Sequence, residues 1–310
     1  EINYLRISVT DLCNLRCQYC MPEKGIYKKE HKDILRLEEI EKVVQAAVKI
    51  GINKIRFTGG EPLVRKGLTD LIANISVLDG INDIALTTNG ILLQDYAEEL
   101  KKAGLNRVNV SIDSLDKKKY ETITRGGNLD DVLAGIRVVK EVGLLPLKIN
   151  VVLIGGFNDD EIEDFVNLTV KEDIEVRFIE LMPLGEAASW DKAHFLSDEE
   201  ILQKMPRLIA LPFKGQGGIA RYYKLPNSKG KVGLISPLSN HFCSYCNRIR
   251  LTADGKLKPC LHSDLELDIK DYGDNMEKFL LDGIKAKPHK HYINNADYVP
   301  VVRNMNQIGG

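Results

Sequence analysis

Short β-branched runs alternate with amphipathic stretches from the first residues to about residue 181. The β-branched runs predict strands, and the amphipathic stretches predict helices. Six strands are predicted, at residues 5–9, 54–58, 83–87, 107–111, 147–153 and 175–180. Five helices are predicted, at residues 37–50, 66–78, 96–103, 130–142 and 160–171. This series indicates a parallel sheet with right-handed crossovers, either an incomplete barrel or a doubly wound sheet.

Polar motifs follow the predicted strands and decide between these two folds. A cysteine-rich segment follows the first strand, and the motifs GGEP (59–62), TTNG (87–90) and SIDS (111–114) follow the next three strands. A doubly wound sheet concentrates its chemistry at one switch point, whereas a barrel carries it at the carboxyl ends of many strands. We therefore expect an α/β fold with an incomplete barrel.

Alternation along the strands places cationic side chains inside the predicted barrel. If the apolar residues of each strand face the helices, the residues between them face the lumen. Four of these lumen residues are cationic: Arg6, Arg56, Lys148 and Arg177. Such a set would bind an anion of several charges, for example a polyphosphate. The alternative is that each cation is paired internally with Asp11, Asp113 or Glu180.

The regular alternation ends after Met182. We expect a loop at residues 184–193, a short helix at 197–205 and a hairpin formed by 219–225 and 231–235. Ser197 and Glu200 have the spacing of a capping box for that helix. The pair His289 and His291 has no cysteine or carboxylate partner nearby in the sequence, so we expect it at the surface.

The six cysteines fall into two triplets. Cys13, Cys17 and Cys20 have the spacing C-x3-C-x2-C, which offers three thiolates to a cubane iron–sulfur cluster and leaves its fourth iron open. Zinc is the alternative, but a local fourth ligand is missing. A disulfide would leave one of the three cysteines unpaired.

The second triplet is Cys243, Cys246 and Cys260. Taken alone it is ambiguous, because His241 or His262 could complete a Cys3His zinc site. Two arginines, at 248 and 250, follow it at alternate positions, so an extended segment would direct both guanidinium groups to one side. A structural zinc has no need of them, which favours a second cluster that faces a ligand.

Composition limits the classes of partner. The 310 residues are 44% apolar with a formal net charge of −1, so a sizeable core is expected and nucleic-acid binding is not. No apolar run reaches the roughly 20 residues that a membrane helix needs, so we expect no membrane association. Clustered cysteines indicate metal ligation in a reducing compartment, and we expect a cytoplasmic location.

With Tyr19 directly before Cys20, the first triplet resembles the signature of the radical S-adenosylmethionine (SAM) enzymes. The second triplet with its Arg-x-Arg, and the segment RNMNQIGG at 303–310, make the whole chain resemble the GTP 3',8-cyclase family of molybdenum cofactor biosynthesis. The resemblance implies an incomplete (β/α)6 TIM-type barrel at residues 1–196. It implies a C-terminal region at 197–310 that carries a second 4Fe-4S cluster.

The family's activity implies the function and its partners. The resemblance implies a lyase that converts GTP to 3',8-cyclo-7,8-dihydroguanosine 5'-triphosphate, the first step of molybdopterin formation. A 5'-deoxyadenosyl radical removes hydrogen from C3' of GTP, and no side chain acts as acid or base. The implied cofactors are two 4Fe-4S clusters and SAM. The implied partners are an external reductant, a second copy in a homodimer and the downstream pyranopterin monophosphate synthase.

The resemblance also assigns roles to residues. The family's SAM contacts fall on Tyr19, Gly60, Ser111 and Met182. Its GTP contacts fall on Arg6, Arg56, Thr87, Lys148, Arg177, Arg248 and Arg250. Its terminal Gly-Gly, here Gly309 and Gly310, enters the active site, although an ordinary frayed terminus is the alternative. His262 departs from the pattern, since an apolar or aromatic residue is expected there.

Two rival functions fit part of this pattern. One is a radical SAM enzyme that modifies a peptide with the help of an auxiliary cluster, although such an enzyme needs no lumen with four cations. The other is a SAM-dependent binding or regulatory module with a structural zinc. The metal at the second triplet distinguishes these alternatives.

Overall fold

The computed structural model describes residues 1–213, 218–291 and 301–309. Its twelve strands form one sheet. The strands are β1 (Tyr4–Ser8), β2 (Lys54–Thr58), β3 (Asp83–Thr88), β4 (Arg107–Ser111), β5 (Lys148–Leu153), β6 (Glu175–Glu180), β7 (Ile209–Ala210), β8 (Arg221–Lys224), β9 (Lys231–Ile235), β10 (Arg248–Leu251), β11 (Lys256–Lys258) and β12 (Leu267–Asp268). The α-helices are α1 (Leu37–Lys49), α2 (Leu68–Ser76), α3 (Leu93–Lys102), α4 (Lys117–Thr124), α5 (Leu129–Glu141), α6 (Ile162–Lys171), α7 (Asp198–Lys204), α8 (Met276–Lys285) and α9 (Met305–Ile308).

The strand order is β12-β11-β10-β1-β2-β3-β4-β5-β6-β9-β8-β7. All pairings from β10 through to β9 are parallel, and the pairings outside them are antiparallel. The described sheet is open, with β12 and β7 at its edges. The predicted α/β fold with an incomplete six-unit barrel is therefore confirmed.

Alternation along the strands separates the core from the lumen. Ile55 and Phe57 on β2 are fully buried in the hydrophobic core, whereas Arg56 between them lines a cavity. On the helix side, α1 buries Ile40 and Val43 together with its other apolar residues at helical spacing. The strand-parity argument is thus confirmed at β2.

Three described helices were not predicted from the sequence: α8, α9 and, within the barrel, α4. Its sequence KKKYETIT is short and mostly charged, and only its last turns are buried, so its hydrophobic pattern is weak. Asp116 caps it by accepting hydrogen bonds from the backbone N–H groups of Lys118 and Lys119. The predicted loop at 184–193 contains two 3-10 turns, Gly185–Ser189 and Lys192–His194.

The C-terminal predictions hold where they fall on described residues. Ser197 and Glu200 form the expected capping box at the start of α7. The predicted hairpin is present as the antiparallel pair β8 and β9. Among the described residues, no helix has the length and apolar character required to cross a membrane.

Two C-terminal strands extend the barrel sheet directly. β10 lies beside β1, with Arg250 opposite Arg6 and Arg248 opposite Tyr4. β9 lies beside β6 at the other side of the six-unit sheet. The Arg-x-Arg segment is therefore a wall strand, and its guanidinium groups lie next to the lumen cation of β1.

Candidate active site

One cavity of about 430 Å³ collects the predicted site residues. All six cysteines line it, and so do all eleven residues assigned to SAM or GTP by resemblance. These eleven residues are Arg6, Tyr19, Arg56, Gly60, Thr87, Ser111, Lys148, Arg177, Met182, Arg248 and Arg250. The two cysteine triplets, far apart in the sequence, thus face a shared space. The role of each residue there remains a prediction.

The first cysteine triplet occupies a tight turn after β1. The backbone N–H of Cys20 donates to the carbonyl of Cys17 at 2.9 Å. The Cys13 sulfur accepts hydrogen bonds from the Leu15 backbone N–H at 3.3 Å and the Asn89 amide at 3.8 Å. Burial raises the pKa of Cys13 to about 11 and that of Cys20 to about 12. A metal bound here must therefore displace thiol protons.

The spacing of these thiols bears on the choice between zinc and a cluster. A tetrahedral zinc holds its sulfur ligands roughly 3.8 Å apart, given a Zn–S bond of about 2.3 Å. Within the described residues, the compact group with all ligand atoms inside 4.8 Å is His241, Cys243 and His291, and neither complete cysteine triplet forms one. The donor set of three thiols around a wider space fits a cubane cluster better than a single ion.

Tyr19 is fixed by a carboxyl group. Its hydroxyl donates to Asp113 Oδ2 at 2.7 Å, and Asp113 Oδ1 accepts from the Val152 backbone N–H at 2.8 Å. Burial raises the pKa of Asp113 to about 6. Asp113 is therefore a partner of the cysteine loop. The alternative that it pairs with a lumen cation is wrong.

The GGEP turn after β2 joins the loops that follow β1 and β3. Glu61 accepts hydrogen bonds from the Thr88 hydroxyl and the Asn89 backbone N–H, both at 2.8 Å. Burial raises the pKa of Glu61 to about 7. A Cβ at Gly60 would lie 2.4 Å from the Leu12 carbonyl oxygen. The chain's own backbone thus already requires glycine at position 60, whatever binds in the cavity.

Ser111 and Met182 both lie at carboxyl ends of strands. Ser111 is the last residue of β4 and is half-buried. Met182 follows β6, is half-buried and packs against a small apolar cluster that includes Leu184 and Ile308. Both residues line the cavity.

Two lumen cations are paired, but not as the sequence suggested. Lys148 forms an ion pair with Glu175 at 2.5 Å. Arg177 donates to the neutral amide oxygens of Asn150 at 3.0 Å and Asn109 at 3.2 Å. Glu180, an expected partner, instead accepts two backbone N–H groups after β9. The alternative of complete internal neutralisation is therefore wrong for Arg177.

The other guanidinium groups crowd one wall. Arg56 and Arg248 flank the ring of Tyr4, with distances of 5.4 and 5.3 Å to its centroid. Arg6 and Arg250 both donate to the carbonyl oxygen of Gly309. Burial and the neighbouring arginines lower the pKa of Arg56 to about 9 and that of Arg250 to about 10. This crowding creates a strong preference for an anion.

Among the described residues, Arg56, Arg177, Arg248 and Arg250 make no ion pair with a carboxylate. Thr87, assigned to the same ligand, accepts a hydrogen bond from the Asn109 amide at 3.3 Å. Gly309 contributes its carbonyl to the wall, whereas Gly310 lies outside the described residues. The cavity therefore presents net positive charge to a ligand.

The second triplet lies on the cationic side. Burial alone would raise the pKa of Cys246, but the charges of Arg248 and Lys287 outweigh it and lower that pKa. Lys287 donates to the carbonyls of Arg248 at 2.8 Å and Pro259 at 2.9 Å, which ties together the segments carrying Cys246 and Cys260. The surroundings of Cys246 thus stabilise its thiolate, whereas burial raises the pKa of Cys243.

Histidines surround the second triplet, and the sequence pointed to two of them, His241 and His262, but not to His291. His289 is exposed as expected, but the expectation is wrong for His291, which is 8% exposed and lines the cavity. His262 also lines the cavity, and burial lowers its pKa to about 3. The sequence separation between His291 and the cysteines concealed their proximity.

Known proteins match this architecture. Residues 7–169 match the family described as "Radical SAM superfamily", and residues 174–293 match "Molybdenum Cofactor Synthesis C". Native anSMEcpe with bound AdoMet has a similar fold, with a TM-score of 0.60, 16% identity and coverage of 94% of this chain and 82% of that chain. The fold and cavity define a radical SAM enzyme, a class that uses a 4Fe-4S cluster and SAM.

Sequence similarity narrows the class further. The chain is 57% identical to the GTP 3',8-cyclase of Alkaliphilus metalliredigens, with coverage of 100% of this chain and 98% of the relative. It is 56% identical to the GTP 3',8-cyclase of Alkaliphilus oremlandii, with the same coverage. This chain therefore belongs to the GTP 3',8-cyclase family.

Several residues of the site were not predicted from the sequence. Tyr4 lies two residues before Arg6 on the same face of β1, so strand parity alone could have found it. Glu175 is the first residue of β6 and forms an ion pair with Lys148. The side-chain amide of Asn306, in the tail, donates a hydrogen bond to the Asp11 carbonyl at 2.8 Å. No local signal marks Glu175 or Asn306, because their partners are distant in the sequence.

Proposed function

We propose that this chain is a radical SAM GTP 3',8-cyclase, a lyase that converts GTP to 3',8-cyclo-7,8-dihydroguanosine 5'-triphosphate. This reaction is the first step of molybdenum cofactor biosynthesis. The observation that carries the proposal is the cavity, which both cysteine triplets line. Four of its arginines, Arg56, Arg177, Arg248 and Arg250, make no ion pair with a carboxylate of the described residues. The chain is 57% and 56% identical over its whole length to two GTP 3',8-cyclases, which supports the same reaction.

The proposed metal ligands are the two triplets. Cys13, Cys17 and Cys20 would hold the 4Fe-4S cluster of the superfamily, and the second triplet would hold another 4Fe-4S cluster. When bound, the first cluster and SAM would supply the radical chemistry that removes hydrogen from C3' of GTP. The proposed second cluster ligands are Cys243, Cys246 and Cys260. Lys287 would hold the segments of the last two at a fixed separation.

The protein's own residues would position SAM on the side of the first triplet. Tyr19, held by Asp113, and the Gly60 turn, held by Glu61, would form a rigid cradle after β1 and β2. Ser111 and Met182 would complete it from β4 and the end of β6. Because Tyr19 and the Gly60 turn are held by these hydrogen bonds, they can orient a ligand without first reorganising.

The guanidinium wall would bind the triphosphate of GTP. Arg6, Arg56, Arg177, Arg248 and Arg250 approach the cavity from four parallel strands, and Lys148 and Thr87 flank them. Guanidinium groups can contact phosphate oxygens in a bidentate manner, and burial strengthens these contacts. The Gly309 carbonyl already accepts from two of these arginines, so the tail would border the bound nucleotide.

The remaining expectations belong to the same proposal. An external reductant would supply electrons, a second copy would form a homodimer, and the pyranopterin monophosphate synthase would receive the product. The enzyme would work in the cytoplasm. Residues 1–196 would form the barrel unit and residues 197–310 the unit that carries the second cluster.

An anaerobic assay tests the proposal. Purified protein with both clusters is incubated with SAM and a reductant, with or without GTP, and 5'-deoxyadenosine and the cyclised nucleotide are measured. We expect about eight iron and eight sulfide per chain and product formation that requires GTP. Zinc at the second triplet, or 5'-deoxyadenosine formation that GTP neither stimulates nor diverts to a cyclised nucleotide, would contradict the proposal.

A further inference from the structure

Glu175 lies behind one wall of the cavity and contacts three side chains. Its Oε2 is 2.5 Å from Lys148 Nζ and accepts a hydrogen bond from the Tyr222 hydroxyl at 2.9 Å. Its Oε1 is 3.0 Å from Lys231 Nζ. Lys148 and Tyr222 line the cavity that holds the cysteines, whereas Glu175 lines a separate one. One carboxylate thus supports two side chains of the candidate site from behind.

The sheet places these groups at one level. Lys148 on β5 lies opposite Glu175 on β6, and Glu175 lies opposite Lys231 on β9. Neighbouring strands are about 4.8 Å apart, so the three side chains meet without spanning a gap. The side chains of Lys148 and Glu175 are only 15% and 11% exposed, and Lys231 Nζ lies 4.3 Å from the centroid of the Tyr222 ring. Strand register as well as direct contact therefore holds the group together.

The surroundings of Lys148 disfavour its charge. Burial, together with the positive charges of Arg177 on β6 and Arg107 on β4, lowers the pKa of Lys148 to about 8, although Glu175 acts in the opposite direction. The groups of β8 and β9 that contact Glu175 reach Lys148 through it. Against the effect of burial, the charges of Lys148 and Lys231 lower the pKa of Glu175 to about 2, so its carboxylate is ionised at neutral pH. Without that negative charge, Lys148 would lose its proton at a lower pH.

The ammonium group of Lys148 keeps donors for a ligand. A lysine ammonium carries three N–H groups, and the contact with Glu175 uses one of them. The charge of Glu175 is shared with Lys231 and Tyr222, so it does not serve Lys148 alone. The other two N–H groups leave Lys148 able to donate to an anion in the cavity that it lines.

We propose that Glu175 is a positioning residue, which keeps Lys148 protonated and fixes its ammonium group at the phosphate site, while Tyr222 orients the carboxylate. This role rests on the proposed function, in which Lys148 contacts the triphosphate of GTP. The opposing possibility is that Glu175 merely neutralises Lys148 and repels a polyphosphate. Removal of the carboxylate charge would weaken polyphosphate binding in the first case and strengthen it in the second.

Binding of inorganic triphosphate at several pH values tests this role. Anaerobic calorimetry on the full-length, cluster-loaded protein gives the Kd at about pH 6, 7 and 8 for the parent and for Glu175→Gln, which keeps the shape but not the charge. We expect both proteins to bind alike at about pH 6 and the variant to bind about tenfold more weakly at about pH 8, because its Lys148 loses its proton in this range. A merely structural role would change the Kd by one factor at every pH. Ionisation of triphosphate itself cancels in the ratio of the two Kd values.

Matched variants separate charge from structure. Glu172→Gln removes a carboxylate that pairs with Lys140 at the surface, three positions before Glu175, and should bind as the parent does at every pH. Lys148→Arg in the Glu175→Gln background should abolish the pH-dependent loss, because a guanidinium group keeps its proton in this range. Circular dichroism checks the fold of each variant. Tyr222→Phe keeps the charge of Glu175, so it should weaken binding about threefold without a pH trend, and it gives a result that does not depend on the folding of Glu175→Gln.

Several results would overturn the role of Glu175. They are parent-like or tighter triphosphate binding by Glu175→Gln at about pH 8, an equal loss at every pH, a pH trend that persists with Lys148→Arg, or a parent that does not bind inorganic triphosphate. Parent-like binding by Tyr222→Phe would remove the orienting role of Tyr222. Cyclisation of GTP by the parent is measured separately and tests the proposed function alone. Absence of cyclised product together with the expected pH-dependent loss would contradict that function and leave Glu175 as the positioning residue of a polyphosphate site.

Discussion

Carboxyl groups lie beside the first cysteine triplet, whereas guanidinium and ammonium groups lie beside the second. Burial raises the pKa of Cys17 and Cys20, and the negative charge of Asp113 adds to this shift. At the second triplet, the positive charges of Arg248 and Lys287 lower the pKa of Cys246 despite its burial. Cys246 therefore experiences electrostatic surroundings opposite to those of Cys17 and Cys20 in one cavity.

This difference matches the charges of the two proposed ligands. SAM carries a sulfonium cation, which is favoured near carboxylates such as Asp113 and Glu61. The triphosphate of GTP is a polyanion, which is favoured near the arginines of β1, β2 and β10. The end of the cavity at the first triplet would thus attract SAM, and the end at the arginines would attract GTP. This difference in charge would orient the two ligands before any specific contact is made.

Loss of a cysteine should show the largest difference in function between the two triplets. Cys17→Ala should remove the first cluster and abolish 5'-deoxyadenosine formation. Cys246→Ala should halve the iron content from about eight to about four and abolish cyclisation of GTP, while SAM cleavage persists. Iron analysis and chromatography of both products check this. If Cys246→Ala cyclises GTP normally, the second triplet has no part in the reaction.

Arg250→Ala tests the cationic end. The substitution removes a buried guanidinium group that faces the proposed triphosphate site, so we expect kcat/KM for GTP to fall about a hundredfold or more, with both clusters retained. Arg250→Lys should recover part of this loss because it keeps the charge but not the planar fork. Arg207→Ala, which breaks an exposed ion pair with Glu163, is the control. Normal GTP turnover in Arg250→Ala would refute the role of the Arg-x-Arg strand.

Asp113→Asn tests the carboxyl end through the pH dependence of stability. The pKa of Asp113 is raised from 3.8 to about 6, so its ionisation destabilises the folded chain as pH rises from about 4 to above 6. Asparagine cannot ionise, so the variant should gain stability relative to the parent over that range, on the order of 3 kcal/mol. Urea unfolding of cluster-free protein at several pH values measures the difference. A difference that does not change with pH would contradict the buried charge at this site.

Lys117→Ala should have the smallest effect. Lys117 pairs with Asp130 at 2.7 Å, but both side chains are largely exposed, with 67% and 58% of their surfaces accessible. Exposed ion pairs contribute roughly 0–1 kcal/mol, so unfolding free energy and GTP turnover should be almost unchanged. A large change in either would show that charge far from the cavity contributes to the difference between the two ends.

The barrel strands and the cationic lumen were predictable because both depend on local pattern. Three of the six strands have the predicted bounds, and Arg56 faces the cavity as the alternation on β2 requires. Helix α4 was not predictable, because its charged sequence buries few apolar residues. The cysteine spacings and the Arg-x-Arg carried enough information to indicate one shared site.

Partners distant in the sequence could not be predicted. The pairing of Lys148 with Glu175 and the burial of His291 beside Cys243 depend on which strands and loops become neighbours. The position of β10 beside β1 is of the same kind, since no local pattern specifies the order of strands in a sheet. Tertiary packing determined each of these features.

The pairing of β1 with β10 has a consequence for synthesis on the ribosome. β1 emerges first, but the strand that covers one of its edges, Arg248–Leu251, is translated near the end of the described chain. Until then that edge presents unpaired backbone N–H and C=O groups between apolar residues such as Leu5 and Ile7, which invites association with other nascent chains. We therefore expect chaperones to bind the nascent chain, and ribosome stalling before residue 248 to increase aggregation.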